Sequence, residues 1–249
     1  GELGPVTIKQ GSVFEVDMFA LPLGEVAAPQ KLTITLAIEG TPYRNEYPIW
    51  VYPSKVDTRA PRGVQVTRSF ADAGTQQHLA AGGKVLLLPN LDTLPHSVPG
   101  AFQTDFWSPM FAQSALKRGL APPPGTLGIL CDPTHPALAF FPTELHTNWQ
   151  WWHLVKNSRP MILDATPPGY RPIVQVIDNF ARNHKLGLLF ETKVGKGKLL
   201  VCAIDLPALQ DRPEARQLLF SLCRYVASPR FDPKIELDAA ILQRILPMD

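Results

Sequence analysis

The chain has 249 residues, enough for one large domain or two modest ones at roughly 100 to 200 residues each. Hydrophobic residues make up 45% and charged residues 18%, a balance that builds a sizeable core and excludes a disordered tail. The net charge of +2 comes from scattered Lys and Arg without a basic stripe, and no apolar run reaches the ~18 residues that span a bilayer, so neither nucleic acid nor a membrane is an expected partner.

Strands come first. Val13 to Phe19 and Lys31 to Ile38 alternate apolar and polar residues at period two, which predicts strands with one buried face, and Asn45 to Pro53 predicts a third. Three strands cannot close a sandwich of about seven. The expectation is therefore that residues 1–55 are the C-terminal part of an immunoglobulin-like β-sandwich whose other strands lie upstream of Gly1.

From Gly63 the rhythm becomes strand, helix, strand. Val64 to Val66 is a short strand, Asp72 to Ala81 a helix stopped by Gly82-Gly83, and Lys84 to Pro89 an apolar run of the kind buried on both faces of a parallel sheet. Asp105 to Arg118 is compatible with a helix, and Thr126 to Asp132 is another buried run. Met161 to Asp164 and Pro172 to Asp178 follow, and then Leu186 to Glu191 and Lys198 to Asp205 flank the hairpin turn Lys193-Val194-Gly195-Lys196-Gly197. The stripe Ala215, Leu218, Leu219, Leu222 and Val226 predicts a helix docked on the sheet, and Ile235 to Leu246 an amphipathic, peripheral helix. Such alternation means a layered α/β domain. The 26 prolines, spread along the chain, call for short elements joined by stiff loops.

Asp132, Asp164, Asp178 and Asp205 each end an apolar run, where open α/β sheets place ligands, although an acid there also simply caps the next loop. No metal-ligand spacing joins them, so no metal or other cofactor is expected. Gly195-Lys196-Gly197-Lys198 lies between strands with no helix start behind it and reads as a turn, not a phosphate loop. Glu46 of Arg44-Asn45-Glu46 reads as a strand-edge acid, because glycosidase chemistry needs a second carboxylate and a barrel that do not fit here. Cys131, Cys202 and Cys223 form no CxxC pair and read as small buried thiols.

Gly125 to Ala139, which contains Gly128, Cys131 and His135, resembles the nucleophile turn of class I glutamine amidotransferases. Such a turn lifts a thiol to a helix N-terminus and lowers its pKa. Here the second glycine is missing, Asp132 stands beside the sulfur, and Glu144-Leu145-His146 reverses the usual His-x-Glu order. The turn is therefore read as degenerate, with no catalytic residue. Phe140 to His153 gathers Glu144, His146, Trp149, Trp151 and Trp152, and two readings of it stay open: rings that plug a gap between layers, or a stacking platform for sugar.

Three stretches together resemble the C-terminal region of large family 2 glycoside hydrolases, of the β-galactosidase-like kind found in Bacteroidetes. They are Asn45 to Pro53, then Thr104 to Ser108 with Gly125 to Gly128, then Phe141 to Trp152 with Lys193 to Leu199. The resemblance implies a three-layer, class I glutamine-amidotransferase-like (flavodoxin-like) α/β domain over residues 56–249 behind the sandwich segment. It also implies an accessory region without hydrolytic chemistry, periplasmic or extracellular, whose partners are the parent enzyme's upstream catalytic barrel, an oligosaccharide, or a second copy of the chain. A carbohydrate-binding module and a Cys131-dependent amidase or esterase are the alternatives.

Overall fold

The structure, a computed structural model, describes residues 1–7, 9–102, 117–119, 126–179 and 182–247. The Thr104 to Ser108 stretch, Gly125, and all of the Asp105 to Arg118 helix except Lys117 and Arg118 lie outside the described residues.

The expected strand from Val13 to Phe19 does not form. Phe14, Val16, Met18 and Phe19 are all exposed, and Val13 is fully so. The alternation is present, but a strand needs a neighbouring backbone to receive its hydrogen bonds, and among the described residues none reaches 13–22. The next two runs do pair. β1 (Gln30–Ala37) and β2 (Arg44–Val51) form an antiparallel hairpin with Leu32 opposite Ile49 and Ile34 opposite Tyr47. Gly40, at φ 69, supplies the left-handed residue in the connection. Directly opposed residues share a face, so Leu32, Ile34, Leu36, Tyr47 and Ile49 line one side. On that side Leu36, at 56%, and Tyr47, at 51%, are exposed, while Leu32, Ile34 and Ile49 are half-buried. Lys31 and Pro48 lie on the other side and meet residues of the second unit.

The second unit is built on a seven-stranded mixed sheet. β3 (Val64–Thr67), β4 (Lys84–Leu87) and β9 (Gly197–Cys202) run parallel, and β8 (Lys185–Val194), β7 (Val174–Asp178) and β5 (Thr126–Cys131) continue the sheet antiparallel. A short β6 (Met161–Ile162) takes the edge of β8 that β9 leaves free. The apolar runs divide between the two faces at period two. In β4 and β9, Leu86, Leu200 and Cys202 join one core and Val85, Leu87, Leu199 and Val201 the other, whereas the irregular register of β8 against β7 at Leu188 puts Leu188 in the first core and Phe190 in the second. β5 shares the apolar character of β4 but pairs antiparallel with β7, because a continuous hydrophobic run specifies burial and not strand direction.

Helices cover both faces. α1 (Ala73–Ala80) starts where Asp72 accepts the Thr75 amide at 2.8 Å and stops at Gly82, φ 88, with the Gly83 amide donating to the His78 carbonyl. On the first core sit α2 (Trp151–Lys156) and α3 (Pro213–Ala227). α3 begins on Pro213 and buries Ala215, Leu218, Leu219, Leu222 and Val226, with each Leu contributing on the order of 2 kcal/mol. α4 (Ala239–Ile245) departs from expectation twice. It begins at Ala239 because Asp238 caps the Ala240 amide, and it is not peripheral: Leu242 and Ile245 are buried in the second core. Among the described residues no helix is long and apolar enough to cross a membrane.

Candidate functional site

The Cys131 turn is not a nucleophile elbow. Cys131 closes β5, the last strand of the sheet, paired with Val174, and its amide donates to the Leu145 carbonyl at 3.0 Å. The thiol is 5% exposed and donates to the Glu144 carbonyl at 3.2 Å. Burial first, and the Asp132 charge second, push it up to about 11. No hydrogen bond joins His135 to the sulfur. Its Nδ1 accepts the Ala137 amide at 3.2 Å and caps the single 3-10 turn Pro136–Leu138, its ring meets Tyr225 edge-on, and burial lowers its pKa. Gly128 has a local reason of its own: a Cβ there would come within 2.8 Å of Thr147 Oγ1, the atom that accepts the Ile129 amide.

The segment after Glu144 runs antiparallel beside β5, with Leu130 bridging His146, and it forms one wall of an open cleft of about 440 Å³. Glu144, His146, Trp149 and Trp152, all singled out in the sequence, line it together with Pro48, Phe102, Thr147 and Asn148. That volume lies in the range of about 300–1,000 Å³ usual for small-molecule sites. Trp151 does not belong to it. This residue is fully buried, its indole N–H donates to Thr143 Oγ1 at 2.9 Å, and its ring packs edge-on against Phe141 at 5.4 Å. Neighbouring helical residues point about 100° apart, so Trp151 and Trp152 cannot share one surface.

The exposed rings are not equivalent. Phe102 stacks on Trp152 at 5.4 Å and Lys156 Nζ lies over the same ring at 4.9 Å, so its π-face is already engaged. Trp149, at 78% exposure, offers the free face. Glu144 is fixed from both sides, by the Lys31 ammonium across the hairpin and by Asn148 Nδ2 at 3.0 Å, and these hydrogen bonds hold its carboxyl below the ordinary range. A carboxylate only accepts, so Asn148 must present its NH₂ to Glu144, and this orients its oxygen. That Oδ1 is buried and has no hydrogen-bond partner among the described residues, an acceptor awaiting a donor. Tyr52, whose hydroxyl bonds Gln150 and whose ring stacks parallel to Phe141 at 6.0 Å, fastens the hairpin beside the cleft.

Sequence reasoning missed Pro48, Phe102 and Asn148. Pro48 and Phe102 reach the cleft from 98 and 44 positions before His146, and no local pattern announces either. Asn148 stood within the quoted loop, yet only its missing partner marks it out. The four strand-end acids form no single cluster: Asp164 and Asp178 meet at His184, through its ring at 2.7 Å and its amide at 3.0 Å, while Asp132 and Asp205 bond elsewhere. The register of Thr126 opposite Asp178 sets Asp132 and Asp178 at opposite ends of the sheet. Asp178 is a buried ion-pair partner of Arg182 at 2.7 Å, Asp132 caps the Thr134 amide, and Asp205 lies 3.6 Å from Arg68. Among the described residues no group of three His, Cys, Asp or Glu could hold a metal ion.

The family described as a domain of unknown function, DUF8487, matches residues 65–247, and a second, DUF8488, with the same description, matches residues 1–53. No curated protein matches the chain.

Proposed function

The chain belongs to the DUF8487 family, and from that premise we propose that it is a non-catalytic accessory region of a secreted glycoside hydrolase, serving packing and carbohydrate proximity around a catalytic barrel supplied upstream. The observation that carries the reading is the hairpin face of Leu32, Ile34, Leu36, Tyr47 and Ile49, an apolar face of which no residue is fully buried. A two-stranded sheet is marginal alone and needs more strands or a cover over its apolar face. A sandwich half completed by the parent enzyme meets that need, and the resemblance to family 2 hydrolases names the parent. The three-layer amidotransferase-like reading of the α/β unit and export to the periplasm or outside belong to the same proposal. Incubating the chain with chromogenic β-galactosides tests it. No turnover above a buffer blank is expected, and turnover abolished by changing a single carboxylate overturns the non-catalytic assignment.

A second reading, a carbohydrate-binding cleft, is favoured by one specific feature, the buried and unpartnered Asn148 Oδ1 beside the exposed Trp149. A sugar supplies both complements: an apolar ring face for the indole and a hydroxyl donor for the amide oxygen. Titration with plant oligosaccharides followed by Trp fluorescence tests it. Saturation in the parent chain and its loss in Trp149→Ala are expected, and flat curves at millimolar sugar eliminate the reading.

A further inference from the structure

We propose that a second cavity, of about 150 Å³, is a binding site for a phosphoryl group, held by Arg244 together with the imidazoles of His96 and His184. This cavity is separate from the cleft beside β5. Its lining comes from the segment after β4 (His96), the end of β6 (Ile162 and Asp164), the start of β8 (His184) and α4 (Ile241 and Arg244). The Ile162 amide donates to the His96 carbonyl at 2.9 Å, which brings the β4 connection onto β6. The cavity therefore lies outside the carboxyl end of β6, the end of an α/β sheet where ligands collect.

His184 Nδ1 lies 2.7 Å from Asp164 Oδ2, and because the carboxylate can only accept, the proton sits on Nδ1. Asp164 Oδ1 is taken by the Lys185 amide at 2.8 Å, so both carboxylate oxygens are engaged within the protein. The neutral ring then keeps Nε2 as an acceptor. A phosphate monoanion suits that nitrogen better than any fully ionised anion, because its P–OH donates to Nε2 while its charged oxygens accept from a guanidinium fork. Among the described residues, the side chains of His96 and Arg244 have no hydrogen-bond or ion-pair partner. The cavity's volume of about 150 Å³, roughly a third of that of the cleft beside β5, is room for a phosphoryl group.

The experiment follows the histidine ring NMR signals of the full chain during titration with inorganic phosphate, methyl phosphate, sulfate and acetate at neutral pH. Saturable shifts of His96 and His184 with inorganic or methyl phosphate, leaving His146 unmoved, are expected. The tighter of the two then names free phosphate or a phosphate ester as the source. Arg244→Gln should weaken the effect about tenfold or more, the cost of a lost charged hydrogen-bond pair, with Arg244→Lys intermediate and available should the first variant fail to fold. No saturable shift up to on the order of 10 mM phosphate overturns the proposal, as does unchanged binding in a folded Arg244 variant. Sulfate or acetate binding as well as phosphate refutes the phosphoryl class. None of these results bears on sugar binding at Trp149.

Discussion

Alkylation of Cys131 separates a buried structural thiol from a poised nucleophile. Burial and the neighbouring Asp132 raise the thiol from 9.0 to about 11, so its thiolate population at neutral pH is about 100-fold smaller than that of an unburied cysteine. Since the thiolate is the reactive form, and the sulfur is also only 5% exposed and bonded to the Glu144 carbonyl, iodoacetamide should label Cys131 at least about 100-fold more slowly than free cysteine. The assay is peptide-level mass spectrometry of a timed labelling series, with the urea-unfolded chain as the full-reactivity control. Between pH 7 and 10 the rate should rise about tenfold per pH unit without a plateau. Burial is the larger cause of the shift, so Asp132→Asn should accelerate labelling only a few-fold. A rate at neutral pH equal to that of free cysteine, or a plateau below about pH 8, would refute the argument and restore a thiol enzyme as a live alternative.

The two tryptophans of the loop should behave oppositely. Trp151→Ala removes a fully buried ring and the N–H donor to Thr143 Oγ1, costing about 3–5 kcal/mol, whereas Trp149→Ala should stay within about 0.5 kcal/mol; urea midpoints at constant m decide this, and equal effects would contradict the burial assignment. Asp178→Asn should cost about 3–5 kcal/mol, because Arg182 then loses its buried counter-charge and the His184 amide its acceptor; a change under about 1 kcal/mol in the same assay would show the pair to be dispensable. Cys202, fully enclosed, is raised to about 12. Its neutral thiol therefore stabilises the fold below the unfolded thiol's range near 8.5, and that contribution fades as pH climbs from about 9 toward 12. Urea midpoints should accordingly fall between pH 7 and about 10.5, and fall less in Cys202→Ala; a flat profile would contradict it. In Gly197→Ala the new Cβ would come within 2.5 Å of the Leu79 carbonyl on α1, so a loss of at least about 1–3 kcal/mol is expected by thermal melting, and unchanged melting would show that α1 can shift.

Local chemistry wrote much of this fold legibly. Asp72 before a helical run and Gly82-Gly83 after it bounded α1, the turn at Gly195-Lys196 joined β8 to β9, and the stripe from Ala215 to Val226 placed α3, because caps, turns and periodic burial are decided within a few residues. Strand partnership is decided elsewhere, by backbones far away in sequence. Val13 to Phe19 has a strand's alternation and no strand to join, and β5 looks like a parallel strand yet runs antiparallel to β7.

The candidate sites divide along the same line. The residue types of the cleft, Glu144, His146, Trp149 and Trp152, were visible as a polar and aromatic cluster. That Trp151 turns inward while Trp149 stays free depends on where α2 packs, and that Pro48, Phe102 and Lys31 arrive beside them depends on the docking of the hairpin. For the second cavity the sequence offered only an acid at the end of an apolar run; His96, His184 and Arg244 are separated by up to 148 positions and line one cavity only because the connection after β4, the end of β6 and the start of β8 come together beside α4. Composition and periodicity determine which surfaces must be buried, since hydrophobic burial is roughly proportional to apolar area and has no direction. Which side chains then meet is set by hydrogen-bond register and packing, both directional and long-range, and these the tertiary structure alone decides.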